Sequence, residues 1–160
     1  MAEIVHDRVQ LSKRIQEFRA QGKKVVLANG LFDLLRVGHS RYLKAAKVLG
    51  DVLVLALPND DSVKKSHGPG RPLLPLEDRM GVLAAFGTVD LVVSYPEEMV
   101  DTLLAELKPD LFASQGPTRI KGEAFGGKVV ELKETGDLEA EELIREILRK
   151  YSDPNTKINE

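Results

Sequence analysis

The segment 29–39 places a glycine loop, an arginine and a histidine where a strand gives way to a helix. It reads Asn-Gly-Leu-Phe-Asp-Leu-Leu-Arg-Val-Gly-His, follows the apolar run 25–28 and leads into the amphipathic stretch 40–49. The first N–H groups of a helix have no acceptor within the helix, and they carry the positive end of its dipole. The segment is therefore a candidate phosphate site, with His39 at the helix start and Arg36 one short loop before it.

The rest of the chain alternates between strand-like and helix-like segments, which predicts how this site is positioned. A first helix is predicted over 8–21, where apolar residues recur at helical spacing and Gly22 follows. Strands are then predicted over 24–28, 52–57, 91–94, 111–114 and 128–132, and helices over 40–49, 76–86, 97–107 and 139–151. This order predicts an α/β fold with a Rossmann-like, doubly wound, five-stranded parallel sheet and helices on both of its faces.

Three loops are expected to line one cleft, because ligands bind beyond the carboxyl ends of the strands in a doubly wound sheet. These are the segments 29–39, 58–72 and 114–119. The second of them belongs to a long polar loop predicted over 58–75, which carries Lys64, Lys65 and Arg71. The cleft is therefore expected to combine N–H groups at a helix start with cationic side chains.

Composition limits the classes of function. The net charge is −2, with no basic stripe, which argues against a nucleic-acid partner. Cysteine is absent, which excludes disulfides, thiolate catalysis and cysteine-ligated metal. No apolar run approaches the roughly 20 residues of a membrane helix, and residues 1–24 lack a signal-peptide core, so a cytoplasmic location without a membrane partner is expected. A chain of 160 residues is expected to form one domain, over 1–151, followed by a flexible tail at 152–160.

Several short motifs follow one another along the chain. They are the segment 29–35, Gly38-His39, Tyr42-Leu43, Leu49-Gly50-Asp51, Asp60, Ser62-Val63, Gly68-Pro69-Gly70-Arg71-Pro72, Glu77-Asp78-Arg79, Val89-Asp90 and Lys108-Pro109-Asp110. In this order they resemble the motifs of the nucleotidyltransferase superfamily that carries an HxGH motif. The resemblance covers residues 11–148; it is strongest to the adenylyltransferase domain of ADP-heptose synthase and more distant to glycerol-3-phosphate cytidylyltransferase.

The resemblance implies a reaction and its participants. An oxygen of a sugar 1-phosphate attacks the α-phosphate of ATP or CTP, and pyrophosphate leaves. The partners are thus a nucleotide and a phosphorylated small molecule. Mg²⁺ accompanies the triphosphate through its phosphate oxygens, without a separate metal site on the protein. Related proteins tend to oligomerise, so a homodimer is plausible, although the sequence defines no interface.

The residues of the predicted site fall into three groups. The catalytic group is His39, which stabilises charge on the transferred phosphate, and Arg36. The expected nucleotide-binding residues are Asn29, Gly30, Leu31, Phe32, Gly38 and Gly116, and the expected substrate-binding residues are Asp33, Lys64, Arg71 and Arg79, with Lys65 beside them.

Most of these residues also have a structural explanation. Arg36 could be a solvated or ion-paired loop residue, and His39 an ordinary histidine of a helix N-terminus. Asp33 could shape its loop through hydrogen bonds to backbone N–H groups. Gly30 could serve a tight turn, and Arg79 a salt bridge. Lys64, Lys65 and Arg71 could belong to a solvated loop.

The chain departs from the family pattern at several phosphate-handling positions. Arg36 stands at the position of the first histidine of HxGH. The arginine provides a positive charge, but unlike histidine it cannot shuttle a proton. His67 and Ser114 each stand where the family tends to have lysine, and Glu139-Ala140-Glu141 stands where it has Ser-Thr-Thr. Carboxylates at a helix N-terminus stabilise the helix but repel a triphosphate.

Because of these departures, two functions are left open. The chain is either an active nucleotidyltransferase or a catalytically silent relative that binds a nucleotide or a partner protein.

Overall fold

A computed structural model gives the structure of residues 1–96, 99–133 and 140–152. A short 3-10 helix, Gly122–Ala124, precedes the last strand. The helices and strands, in chain order, are β1 (Glu3–Val5), α1 (Arg8–Ala20), β2 (Val25–Asn29), α2 (Val37–Lys47), β3 (Val52–Pro58), α3 (Asp60–His67), α4 (Leu76–Ala84), β4 (Leu91–Tyr95), α5 (Val100–Leu107), β5 (Leu111–Gln115), β6 (Lys128–Leu132) and α6 (Ala140–Tyr151).

The strands form one sheet in the order β1-β4-β3-β2-β5-β6. All pairings among the described strands are parallel. The chain moves outward from β2 through β3 to β4, then crosses back to place β5 on the other side of β2. The strand order therefore reverses between β2 and β5, and the crevice at their carboxyl ends is where a doubly wound sheet binds ligands.

The predicted α/β fold with a parallel sheet is confirmed, but the predicted number of strands is wrong. The described part of the chain contains six strands rather than five. The additional strand, β1, has only three residues and pairs with β4 at the sheet edge. Three residues are too few to show the alternation of apolar and polar residues that indicates a strand, so the sequence did not predict β1.

A second difference lies in the polar segment 58–75, which was predicted as a loop and contains α3. Asn59 begins this helix, because its side-chain oxygen accepts a hydrogen bond from the Ser62 N–H at 2.9 Å. The predicted helix start at Glu97, the position Glu139 and the part 153–160 of the predicted tail lie outside the described residues.

Helices cover both faces of the sheet, as the sequence predicts. Alternate residues of β2 and β3 enter two separate cores, since successive strand side chains point to opposite faces. On one face they pack with α2 and α4, and on the other with α1 and α5. Among the described residues, no helix has the length and apolar composition needed to cross a bilayer.

Three aspartates at the amino edge of the sheet tie neighbouring strands together. Asp51 accepts from the Lys24 N–H at 2.8 Å, and Asp110 accepts from the Val25 N–H at 2.7 Å. Asp90 accepts from the Leu53 N–H at 2.7 Å. Each carboxylate lies just before one strand and accepts from an N–H group at the beginning of the strand beside it in the sheet. The motifs that contain these aspartates therefore contribute to the fold rather than to the chemistry.

Asp110→Ala is expected to lower the free energy of unfolding by about 1–3 kcal/mol, because it leaves the buried Val25 N–H without its acceptor. Urea denaturation measures the loss. Asp110→Asn, which retains an acceptor oxygen, is the matched control and should lose much less. Equal stability of the alanine variant and the parent would show that this hydrogen bond contributes nothing.

Candidate active site

The start of α2 is fixed at the switch point by Tyr42. The Tyr42 hydroxyl lies 2.8 Å from the Ala113 carbonyl oxygen on β5 and 3.2 Å from the Asn29 carbonyl oxygen on β2, and it donates to this pair of acceptors. Burial raises the pKa of the Tyr42 hydroxyl, which therefore stays protonated as a donor. The N-terminal turn of α2 is thus held between the carboxyl ends of the two strands that frame the crevice.

His39 has a defined ring orientation at this helix start. Its Nδ1 accepts a hydrogen bond from the Arg36 backbone N–H at 3.1 Å. In a neutral imidazole the proton then lies on Nε2, which becomes the donor end of the ring. The Phe32 ring packs against it, with ring centroids 5.4 Å apart. The arrangement presents an N–H donor next to the backbone N–H groups of Val37 and Gly38, which begin the first turn of α2.

Phe32 supports the site from inside the core. It is 2% exposed and also stacks on Tyr42, so its side chain belongs to the core. The nucleotide contact predicted for Phe32 stays a prediction. Phe32 has a positive φ of 50°, and its ring lies where a side chain on residue 30 would be. A Cβ at Gly30 would come within 2.7 Å of this ring, which explains the glycine by close approach.

Asp33 fastens a neighbouring loop instead of facing an open substrate site. It is 2% exposed, and its carboxylate accepts from the N–H groups of Leu73 and Leu74 at 2.8–2.9 Å. Asp33 thus makes the hydrogen bonds to backbone N–H groups that its residue type suggested, but it makes them to a different loop. We call this loop, residues 68–74, the strap. Asp33 Oδ2 also lies 3.2 Å from Nε of Arg71.

Arg79 joins the loops of the crevice from within. Its side chain is fully buried, and Nη2 contacts the Asp60 carboxylate at 2.6 Å. The guanidinium also donates to three backbone carbonyl oxygens, those of Leu31, Pro58 and Leu74, at 3.0–3.2 Å. All three nitrogens are thus engaged with protein groups, so the predicted substrate contact gives way to the salt-bridge explanation.

Two other arginines at the crevice have buried nitrogens without partners. In the part of the chain that the structure describes, the buried side-chain nitrogen and oxygen atoms without a hydrogen bond are Nε and Nη1 of Arg36, the same two atoms of Arg71, and the Thr88 hydroxyl. Arg71 is only 8% exposed. Its Nε is close to Asp33 but outside hydrogen-bond geometry. Buried unsatisfied donors of this kind are rare in proteins.

The remaining predicted residues lie at the rim or in turns. Lys64 and Lys65 are exposed on α3, which leads into the strap. Gly38 is buried in the first turn of α2. Gly116 has a positive φ of 79° and donates its N–H to the Leu132 carbonyl oxygen at 2.9 Å. Its own carbonyl oxygen accepts from the Ser114 hydroxyl at 2.9 Å.

The sequence did not indicate that two tyrosines organise the site. Asn29 donates its side-chain amide to the Tyr95 hydroxyl at 3.1 Å, which links the ends of β2 and β4 across β3. Tyr42 lies in one of the motifs that carry the family resemblance, but its spacing fits an ordinary apolar helix face. Its hydroxyl partners are backbone carbonyl oxygens, and no residue pattern reveals these.

A sequence-family model of cytidylyltransferase-like proteins matches residues 27–125. The bifunctional protein HldE of Aeromonas hydrophila is 46% identical over 132 residues, covering 78% of this chain and 28% of the relative. HldE of Alcanivorax borkumensis is 37% identical over 153 residues, covering 91% of this chain and 32% of the relative. The chain belongs to the cytidylyltransferase-like family, which confirms the predicted resemblance, and it spans only part of the length of these relatives.

Solved structures agree with this assignment. The lipopolysaccharide core biosynthesis protein of Thermoplasma volcanium has a TM-score of 0.60 and 26% identity, covering 71% of this chain and 98% of that protein. Pantoate-beta-alanine ligase of Francisella tularensis has a TM-score of 0.57 and 15% identity, covering 98% of this chain and 82% of that protein. The second likeness shows the fold alone.

Arg79→Met is expected to lower the free energy of unfolding by about 3 kcal/mol or more, because it removes the charge that pairs with Asp60 and four hydrogen bonds. Chemical denaturation provides the measurement. Arg149→Met removes an arginine whose side chain is 72% exposed, and it should change stability little. If the two variants are equally stable, Arg79 does not hold the loops together.

Proposed function

We propose that this protein is a nucleotidyltransferase that transfers the nucleotidyl group of ATP or CTP to a phosphorylated small molecule of the sugar 1-phosphate type, with release of pyrophosphate. The observation that carries the proposal is the orientation of His39, whose ring presents an N–H beside the start of α2. The family match and the similarity to HldE support this reaction class. The substrates are cytoplasmic metabolites, so the proposal includes a cytoplasmic location.

The bond changes of this reaction require little covalent help from the protein. An oxygen of the acceptor phosphate forms a bond to the α-phosphorus, and the bond from that phosphorus to the bridging oxygen breaks. Pyrophosphate leaves with the electron pair. A phosphate monoester has a second pKa of about 6, so near pH 7 the nucleophile is already largely ionised and no proton has to be removed. Positioning and charge stabilisation therefore supply the rate.

Each chemical requirement has a candidate group at the switch point. His39 Nε2–H and the first N–H groups of α2 donate to the α-phosphate oxygens as charge builds on them. Gly38 lets the phosphate approach the backbone, because it has no side chain. Arg36 occupies the position of the first family histidine, and its permanent charge suits a reaction in which no proton is shuttled.

The nucleotide and the acceptor occupy the two sides of this centre in our proposal. Backbone and amide groups of the loop after β2 and the turn after β5 would contact the nucleoside; these residues are Asn29, Gly30, Leu31 and Gly116. Lys64 and Arg71 would face the acceptor phosphate. Mg²⁺ would enter with the triphosphate, since the described residues offer no cluster of three or more metal-ligating side chains.

A catalytically silent, nucleotide-binding protein is the second candidate function. The Ser114 hydroxyl is engaged by the Gly116 carbonyl oxygen where the family tends to have lysine, and Glu141 adds negative charge to the first turn of α6. A second copy of the chain is the partner we expect in either case. If turnover appears only in a variant that combines Arg36→His, Ser114→Lys, Glu139→Ser and Glu141→Thr, this second candidate is correct.

The proposed activity is tested by pyrophosphate release from each nucleoside triphosphate with Mg²⁺ and a set of sugar 1-phosphates. His39→Ala should reduce kcat roughly 10²–10³-fold, because one preorganised donor to the α-phosphate is lost. His6→Ala changes an exposed histidine outside the crevice and should leave kcat unchanged. Absence of pyrophosphate with every pairing, in an assay where an HldE enzyme is active, would exclude the transferase.

A further inference from the structure

We infer that Arg36 and Arg71 together form a binding site for a phosphate dianion. This inference deepens the proposed function and rests on it for the identity of the molecule that carries the phosphate. The site consists of the two guanidinium groups and of the loops that carry them.

The unpartnered donors of the described structure are concentrated on these two side chains. Among the described residues, four of the five buried side-chain nitrogen and oxygen atoms without a hydrogen bond are guanidinium nitrogens of Arg36 and Arg71. A guanidinium carries only donors, so all four atoms call for an acceptor of the same kind. Buried donors left unsatisfied destabilise a fold, and such groups are expected where a ligand supplies the acceptor.

The fold brings the two arginines to one loop. Arg36 directly precedes α2 in the loop after β2, three positions after Asp33. Arg71 belongs to the strap and lies 3.2 Å from the Asp33 carboxylate. Asp33 holds the strap by accepting from the N–H groups of Leu73 and Leu74. The strap thus carries Arg71 to the same loop that positions Arg36 at the helix start.

The charge at this place suits a doubly negative ligand. The loop 33–36 and the strap carry two guanidinium groups but one carboxylate, that of Asp33, which lies 3.2 Å from Arg71 and whose oxygens already accept backbone N–H groups. The remaining positive charge adds to the positive end of the α2 dipole, which begins at Arg36. Tetrahedral phosphate offers several oxygens to two separate guanidinium groups, and charged hydrogen bonds of this kind are strong.

The dianion could come from the acceptor monoester or from the terminal phosphate of the nucleotide, and the probes separate these sources. Binding of α-D-glucose 1-phosphate and of pyrophosphate is measured by calorimetry on the wild type, Arg36→Met and Arg71→Gln. Each substitution should weaken the binding of at least one probe about ten- to hundredfold, because charged hydrogen bonds to the phosphate are lost. Arg41→Met removes an exposed arginine of α2 and is the matched control.

Ligand-free stability provides a readout that a purely structural role would not give. Arg36→Met should leave the melting temperature unchanged or raise it, because two unsatisfied buried donors disappear. A fall in the melting temperature together with unchanged probe binding would overturn the inference. Arg71→Lys retains the charge without the fork, so it should fold and bind with intermediate affinity if Arg71→Gln fails to fold.

The two proposals fail in different ways. If the wild type binds a phosphate probe through both arginines but releases no pyrophosphate with any substrate pair, the transferase proposal is wrong and the anion site stands. If the double variant Arg36→Met/Arg71→Gln retains wild-type kcat and probe affinity, the anion site is wrong and the transferase stands. Failure of both probes to bind the wild type at about 10 mM also overturns the anion site.

Discussion

The crevice depends on one buried guanidinium. Arg79 joins the carbonyl oxygens of Leu31, Pro58 and Leu74, which belong to three segments far apart in the chain. Asp60 balances its charge, and the same carboxylate accepts from the Leu76 N–H at the start of α4. A buried arginine is tolerated only when its donors are satisfied, so these segments are constrained to one arrangement around it. The loop after β2, and with it His39, derives its position from that arrangement.

Opposite chemical groups stabilise the two edges of the parallel sheet. At the amino edge, strands begin with N–H groups in need of acceptors, and aspartates such as Asp51 and Asp110 provide them. At the carboxyl edge, strands end in carbonyl oxygens that need donors, and Arg79 and the Tyr42 hydroxyl provide those. The polarity of parallel strands thus places donor-rich, cationic side chains on the edge where ligands bind. An anionic ligand is favoured there by the architecture as well as by individual residues.

The sequence predicted features that depend on neighbouring residues, and it missed contacts with backbone atoms of residues far away in the chain. The strands β2 and β3, the helix start at His39 and the parallel α/β architecture follow from periodicity and from the glycine loop. The role of Arg79 does not, because its partners are carbonyl oxygens contributed by residues of any type. Asp33 illustrates the same limit: its type suggested a loop-shaping hydrogen bond, but its partners lie about forty positions along the chain. Short elements such as β1 carry no period at all.

The arginine at position 36 is best understood through this cationic edge. A second guanidinium, in the loop that holds the strap through Asp33, adds positive charge to an edge that already carries the positive end of the α2 dipole. Buried nitrogens on both Arg36 and Arg71 lack acceptors. If position 36 only connected β2 to α2, an uncharged residue would make the loop more stable than arginine does, because it would leave no unsatisfied donor. The substitution makes physical sense when an anion regularly completes the hydrogen bonding. A histidine can give up its proton and its charge, whereas a guanidinium keeps both. Compared with histidine, Arg36 therefore cannot transfer a proton but attracts anions at every pH near neutrality. This property suits the reaction that we propose, in which the phosphate nucleophile is already ionised.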